Sequence, residues 1–511
     1  MTEAELPPGW VRASLGEIGV EAQPGFASGR HNQNADGVIH LRPMNISRGG
    51  KLDFAISKYV QDNSDRRVGD GDVLFNNTNS PELVGKTALV RTARPLAYSN
   101  HMTRLRPPSF LLPSYLAYQL HNLWSAGYFR SVLNNHVNQA SVATKTLLET
   151  PIALPPLAEQ ERIVDALDGQ LSRLDAAVEG LQRAKHGASQ LRRSMEHQGI
   201  TGQLSGPANG DRPVQELLDE IAHVLMSSGS KRRKYDTDEP PIEEPSYPSH
   251  WAVRPLGSLC ARIEYGTSAK TCDEESDSVP VLRMGNIQGG RIDRSVLKYL
   301  PRDHPDVGKL LLKEGDLLFN RTNSAELVGK SAVYHSDLGP MTFASYLIRC
   351  RLAAGVEPEW VNLFINSPTG RRYIGSVASQ QVGQANVNGT KLANFPIPVP
   401  PHEEQLRILG VVEEWETTVG HAISTANQAM RQSERLRQGL LKSAFSGDLV
   451  PHDSTDEPAA ALLDRNRVER AAQPRPKRGR VSKKTSAASA RSAPSVSLKA
   501  AGTFVQEELG L

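Results

Sequence analysis

Cysteine is almost missing from this chain: three residues in 511, Cys260, Cys272 and Cys350, stand far apart. Such spacing supports neither a disulfide framework nor a thiolate metal or redox motif, and it fits a reducing cytoplasm. Long apolar runs are absent as well. None approaches the ~18 residues of a membrane span, and the start, MTEAELPPGW, lacks the basic-then-apolar pattern of a secretory signal. The fourteen histidines are scattered, with no zinc spacing among them. No glycine-rich turn follows a strand-like run as a nucleotide or methyl-donor site requires. A general basic excess is missing too. Residues 471–500 hold eight Lys or Arg and no acid, so without them the net charge of +3 becomes −5. Nucleic-acid binding by the folded part must therefore come from local patches.

What the chain has instead is a second copy of itself. Trp10-Val-Arg-Ala-Ser-Leu-Gly returns from Trp251, and LRPMNISRGGKLD at 41–53 returns as LRMGNIQGGRID at 282–293. DGDVLFNNTNSPELVGK at 70–86 returns as EGDLLFNRTNSAELVGK at 314–330, identical at 13 of 17 positions. A period near 245 residues marks a duplicated domain pair, not a solenoid.

The stretch from Leu154 to Gly206 organises each copy. Pro155 and Pro156 suit a helix start, where a missing N–H costs nothing. Apolar residues then recur at Val164, Leu167, Leu171, Leu174, Val178 and Leu181, in steps of three and four. That is a coiled-coil seam, resuming after one skipped step at Ala188, Leu191 and Met195. Such a helix reaches roughly 65 Å at 1.5 Å per residue. The same text from Val399 supplies Val419, Ile423, Ala426, Met430, Leu436 and Leu440 as a second stripe. Two stripes in one chain can close on each other.

Short β-type runs (Val38–Leu41, Asp72–Phe75, Thr87–Val90) punctuated by Gly, Asn and Pro predict a mixed α/β (α+β) unit before each coil. Helices are expected after Pro113 and Pro358. The expected boundaries are 1–153 for the first unit, 154–206 for its coil and 207–249 for a short helix and linker. The second unit spans 250–398, its coil 399–450, and a short helix with a basic tail 451–511. Both the linker from Ser227 and the tail from about Arg475 have the composition of extended, unstructured segments.

Gly85-Lys86-Thr87 and Gly329-Lys330-Ser331 look like the end of a phosphate-binding loop. That loop needs another glycine five residues earlier, where Ser80 and Ser324 stand, and Pro81 removes a donor. A different chemistry is concentrated in the same loops. Asn76-Asn77-Thr78-Asn79 and Asn320-Arg321-Thr322-Asn323 carry the amide and guanidinium groups that read adenine and guanine edges. Lys86, Lys330, Arg48, Arg91, Arg104 and Arg291 are candidates for phosphate contacts that fix register. Asn and Thr also build turns by bonding their own backbone. Asn76 and Asn320, each after a strand-like Leu-Phe, suit that role better. Asn77 and Arg321, where the shared loop diverges, suit readout; Gln139, Gln384 and Asn386 are weaker candidates.

The doubled order carries a resemblance. A Trp-x-x-x-x-Leu-Gly opening and an α/β unit precede the motif Pro155-Pro156-Leu-Ala-Glu159-Gln160-Glu-Arg-Ile163, repeated from Pro400 through Glu404, Gln405 and Ile408. Each coil ends in Ser/Thr-Gly-x-Leu. This pattern, covering Trp10 to about Arg480, resembles the specificity subunit of type I restriction–modification systems. The resemblance implies two mixed α/β target-recognition domains separated by two long helices pairing as an antiparallel coiled coil, with an internal pseudo-two-fold repeat. It implies a bipartite double-stranded DNA target, read by a subunit that is not itself catalytic. It also implies two methylation subunits that modify adenine and two motor-nuclease subunits. S-adenosylmethionine, ATP and magnesium would be bound in those partners, and no cofactor or metal by this chain. On the residues alone two other classes stay open: a single-chain modification enzyme, and a coiled-coil scaffold without DNA function. The first would need an Asn-Pro-Pro-aromatic tetrad, which is not found.

Overall fold

The structure, a computed structural model, describes residues 6–28, 30–61, 66–94, 96–136, 139–227, 247–273, 277–381 and 383–472. Most of the 227–249 linker and all of the basic tail after residue 472 lie outside the described residues. Helix and strand are mixed throughout. The helices that matter below are α1 (Pro113–Ser125), α2 (Leu157–Ile200), α3 (Val214–Ser227), α4 (Pro358–Asn366), α5 (His402–Ser446) and α6 (Ala459–Ala472). No described helix is long and apolar enough to cross a membrane.

Two compact units divide the chain: residues up to Val164 with those from Ala444 onward, and Asp165–Ser443. In the first, β1 (Glu21–Pro24), β2 (Val73–Asn76), β4 (Thr87–Leu89) and β5 (Met102–Arg106) form one antiparallel sheet in the order β1-β5-β2-β4. A three-stranded sheet sets the two-residue β3 (Thr78–Asn79) beside the hairpin of β6 (Asn134–His136) and β7 (Gln139–Ser141). The second unit repeats this order. Its main sheet runs β8 (Cys260–Tyr265), β12 (Leu347–Leu352), β9 (Leu317–Asn320), β11 (Ser331–Val333). Its small sheet joins β10 (Thr322–Asn323) to the hairpin of β14 (Gln384–Asn386) and β13 (Ser379–Gln381). Val73, Leu74 and Phe75 of β2 are fully buried, as are Leu317, Leu318 and Phe319 of β9. Both faces of each central strand are covered, which is why these runs read as continuous apolar text and not as alternation.

The glutamine of each helix-start motif explains how the long helices are anchored. Gln160 is fully buried; its amide donates to Phe110 O and Pro155 O, both at 3.0 Å. Its Oε1 accepts from Leu112 N at 2.9 Å, at the start of α1. Gln405 repeats the arrangement, donating to Pro400 O at 2.9 Å and accepting from Glu357 N at 2.9 Å, at the start of α4. One side chain thus satisfies backbone groups of two segments at once, a role that only a neutral amide with both donors and acceptors can fill. Beside Gln405, the buried carboxylate of Glu404 accepts from Trp251 Nε1 at 3.1 Å and Ser205 Oγ at 3.2 Å.

Each short helix joins a core far from it in sequence. Leu217, Leu218 and Ile221 of α3 enter the core built on Trp251, Trp360 and Phe364. Helix α6 lies against the opening segment of the first unit, where Asn466 Nδ2 donates to Ile18 O at 2.7 Å and Ala459 N to Gly9 O at 2.9 Å.

Along the long helices within the second unit, Arg437 pairs with Asp175, and Lys185 Nζ donates to Asn427 Oδ1 at 3.0 Å. Contacts that advance along α2 retreat along α5. Val164, Leu167, Leu171, Val419 and Ala426 are buried, and Leu174, Val178, Leu181, Ile423, Met430 and Leu440 are partly buried. Leu436 is a correction: it is 52% exposed. The three–four stepping from Met430 passes through Ser433 and the largely buried Arg437, leaving Leu436 one position off the covered face. Leu191 is also exposed, at 41%. Polar Lys185 fills the step where the apolar pattern skips.

Candidate nucleic-acid interface

In each unit the doubled loop begins as the central strand of the main sheet ends. Gly85 N donates to Asn76 O at 2.8 Å and Asn76 N to Lys86 O at 2.9 Å, closing residues 77–84 into a loop. Gly329 and Asn320 do the same at 2.7 Å, with Asn320 N to Lys330 O at 2.8 Å. Gly85 has φ +97°, and a Cβ there would stand 2.5 Å from the Phe129 ring, so only glycine serves. The Gly-Lys-Thr text therefore closes a connection between two antiparallel strands. A phosphate-binding loop would instead lead from a strand into a helix.

Three of the sequence-predicted DNA contacts are corrected by burial. Asn76 is fully buried and its Nδ2 donates to Leu83 O at 2.9 Å, bracing the loop from inside. Asn320 is equally buried, with both side-chain polar atoms enclosed. Lys86, 5% exposed, turns its ammonium inward to Ile46 O and to Pro43 O at 3.3 Å. Burial, with Arg48 nearby, lowers its pKa from the usual lysine value. Enclosed, and with two of its three donors on backbone carbonyls, the Lys86 ammonium is not presented to a phosphate at the surface. Lys86→Ala should cost about 1–3 kcal/mol by stranding those carbonyls, while the salt dependence of DNA binding keeps its slope. A phosphate contact would lower that slope by about 1.

The remaining candidates lie nearer the surface. Asn77, Thr78 and Asn79 are half-buried: Asn77 Oδ1 accepts from Thr103 Oγ1 at 3.2 Å, and Asn79 Oδ1 from Ser80 N at 2.8 Å. Thr322 Oγ1 accepts from Asn386 Nδ2 at 3.0 Å, and Asn323 Oδ1 from Ser324 N at 2.9 Å. Arg48 is exposed. Lys330, less buried than Lys86, reaches Gln288 Oε1 at 3.1 Å. Arg291 is exposed but paired with Glu416 of α5 at 2.9 Å, and Arg104 donates to Arg67 O at 2.7 Å. Arg104 is thus bonded to the protein's own backbone, while Arg291 keeps most of its side chain open to solvent.

Arg321 differs from all of these. Its guanidinium carbon sits 4.8 Å from the centroid of the Tyr265 ring, and no side-chain hydrogen bond engages it among the described residues. Its backbone is clamped, with N donating to Tyr346 O at 3.0 Å and O accepting from Val387 N at 2.9 Å. The small sheets bring further amides alongside. Asn134, Asn135 and Gln139 are exposed on the hairpin that pairs with β3, and Gln384 on the one that pairs with β10. The first two had gone unnoticed in the sequence, although the run NNHVNQ at 134–139 carried the signal. What the structure gathers in each unit is a loop and a hairpin, both rich in base-reading side-chain types.

The family described as the type I restriction modification DNA specificity domain matches residues 7–181 and 248–419, one match to each copy of this module. The chain belongs to that family. Across 501 residues it is 25% identical to the type I restriction enzyme EcoKI specificity subunit of Escherichia coli (strain K12), covering 92% of this chain and 98% of that protein. The StySPI specificity subunit of Salmonella potsdam is 23% identical over 495 residues, at 92% and 97% coverage. A solved structure described as showing complex assembly and conformational transition of the type I R-M system aligns with TM-score 0.60 and 19% identity. It covers 87% of this chain and 100% of that one, and the fold is shared. As a specificity subunit, the chain supplies DNA sequence recognition and is not the catalytic part of a type I system.

Proposed function

We propose that each recognition unit reads one half of a bipartite double-stranded DNA target, through its doubled loop and adjoining hairpin. Helices α2 and α5 would pair as an antiparallel coiled coil, relating the halves by a pseudo-two-fold axis and fixing the gap between half-sites. The observation that carries this reading is the recurrence of one sheet order and one hydrogen-bonded loop in both units. The opposed contacts Asp175–Arg437 and Lys185–Asn427 support it. Two-fold arrangements read half-sites on opposite strands. Two methylation subunits carrying S-adenosylmethionine would modify adenine in each half-site. Two motor-nuclease subunits would use ATP and magnesium.

The test is methylation mapping in cells that hold the chain with its methylation partners. The expected map is a single interrupted motif with one adenine marked on each strand. A continuous, ungapped motif would contradict the proposal. The purified chain alone should neither methylate nor cut DNA, and calorimetry should find no binding of methyl donor or ATP at micromolar concentration. Binding of either would place chemistry in this subunit.

A further inference from the structure

At one loop position the two halves carry different side chains with different support. Asn77 has its amide committed: Oδ1 accepts from Thr103, and Nδ2 donates to Thr78 Oγ1 at 3.1 Å and Asn100 O at 3.3 Å. Arg321, at the same place in the second half, is held by an aromatic face. A separation of 4.8 Å from the Tyr265 ring centroid is well inside the range of cation–π attraction. The guanidinium Nε is buried without a partner, and the outer nitrogens have none among the described residues. Tyr265 ends β8 and is 43% exposed, while its hydroxyl accepts from Gly389 N at 2.7 Å, so the ring is fixed at its far edge.

The pairing of strands shows that this is a coordinated change. Pro24 stands opposite Thr103 in the first unit, and Tyr265 stands opposite Ile348 in the second. Proline offers no π face where tyrosine does. Isoleucine offers no hydroxyl where threonine ties Asn77 down. Together the three exchanges turn a self-satisfied amide into a stacked guanidinium with an uncommitted edge. That edge presents parallel N–H donors, which match guanine O6 and N7 bidentately. A ring that already orients the guanidinium reduces the rotamer freedom lost on binding.

Resting on the proposed reading of DNA by these loops, we infer that Tyr265 is a positioning residue for base recognition. It orients Arg321 toward one guanine in the half-site of the second unit, a contact that the first unit does not build. The full chain, co-expressed with its methylation partners, tests this by methylation mapping of four variants alongside the parent. Arg321→Ala should relax one position of one half-site, lowering discrimination roughly 5- to 150-fold. Tyr265→Ala should relax the same position, by roughly 3- to 30-fold. Tyr265→Phe keeps the π face but loses the Gly389 bond at its far edge, so it should relax this position less than Tyr265→Ala does. The double variant Tyr265→Ala/Arg321→Ala should relax no further than Arg321→Ala alone, because the ring acts through the guanidinium. Thermal unfolding of each variant identifies any that fail to fold; for those, Tyr265→Leu, which keeps bulk without a π face, takes the place of Tyr265→Ala. An unchanged map for a folded Tyr265→Ala overturns the inference, as does a uniform loss at every position or a double variant with additive effects. If Arg321→Ala itself leaves every base unchanged, base reading by this loop fails, and the inference with it. A parent that marks no gapped motif overturns the underlying proposal instead.

Discussion

Replacing Asp316 with alanine is expected to destabilise the second recognition unit by about 3–5 kcal/mol, the cost of breaking a buried ion pair by removing one partner. Asp316 is fully buried and accepts from both arms of Arg351, Nε and Nη2, at 2.8 Å each. Arg349, 1% exposed, also reaches it at 3.3 Å and pairs with Glu264 on the other side. Without Asp316, Arg349 stays buried with one carboxylate, and Lys313 N loses its acceptor at 2.9 Å. The first half supplies a control. Its Asp72 pairs with Arg106, whose side chain is 49% exposed and can turn to water, while Arg104 is satisfied by a backbone carbonyl. Asp72→Ala should therefore cost about 1–3 kcal/mol. Because the units have separate cores, hydrogen exchange is the appropriate readout. Protection in β9 and β12 should fall sharply for Asp316→Ala while β2 and β5 keep theirs. Equal losses in both units, or none, would show that the charge network does not hold the second sheet together.

That network was invisible in the sequence, and the reason is instructive. The repeat made the family legible, because thirteen identities in a seventeen-residue loop survive any uncertainty about structure. Mixed helix and strand followed from punctuation by glycine and proline. Yet the same identities could not separate loop residues that face outward from those that brace the loop from inside. Asn76, Asn320 and Lys86 are polar, sit in a polar loop and are buried. Their partners are carbonyls of Leu83, Ile46 and Pro43, which any sequence could supply. Backbone acceptors leave no trace in side-chain text. Leu436 illustrates the converse, an apolar residue on a helix whose covered face accepts Ser433 and Arg437 instead. Arg321 was singled out by its divergence from Asn77. Its support by Tyr265, 56 residues earlier, required the fold.

Lengthening the long helices should change the gap in the DNA target and leave both half-sites unaltered. The pairs Asp175–Arg437 and Lys185–Asn427 give the register: a residue between 175 and 185 lies opposite one between 427 and 437. One heptad inserted after Leu181 and another after Met430 therefore falls at matched levels. Seven residues return each apolar stripe to the same face, so the seam is preserved. Both insertions are needed, since a single one would slide every later pair out of register. Each helix grows by roughly 10 Å at 1.5 Å per residue. Along duplex DNA at ~3.4 Å per base pair, that corresponds to about three base pairs of extra gap. Three base pairs also turn one half-site by roughly 100°, given ~10.5 per turn. Part of the binding energy will go into twisting DNA toward the recognition loops, because a deformation of the duplex is offset only by the contacts it permits. Methylation is accordingly expected at reduced efficiency, on a motif whose two halves match the parent's and whose gap is longer by about three. The loops around Asn77 and Arg321 are untouched, so any change of base identity would contradict their role in readout. An active variant with the parental gap would show that the paired helices do not set the spacing.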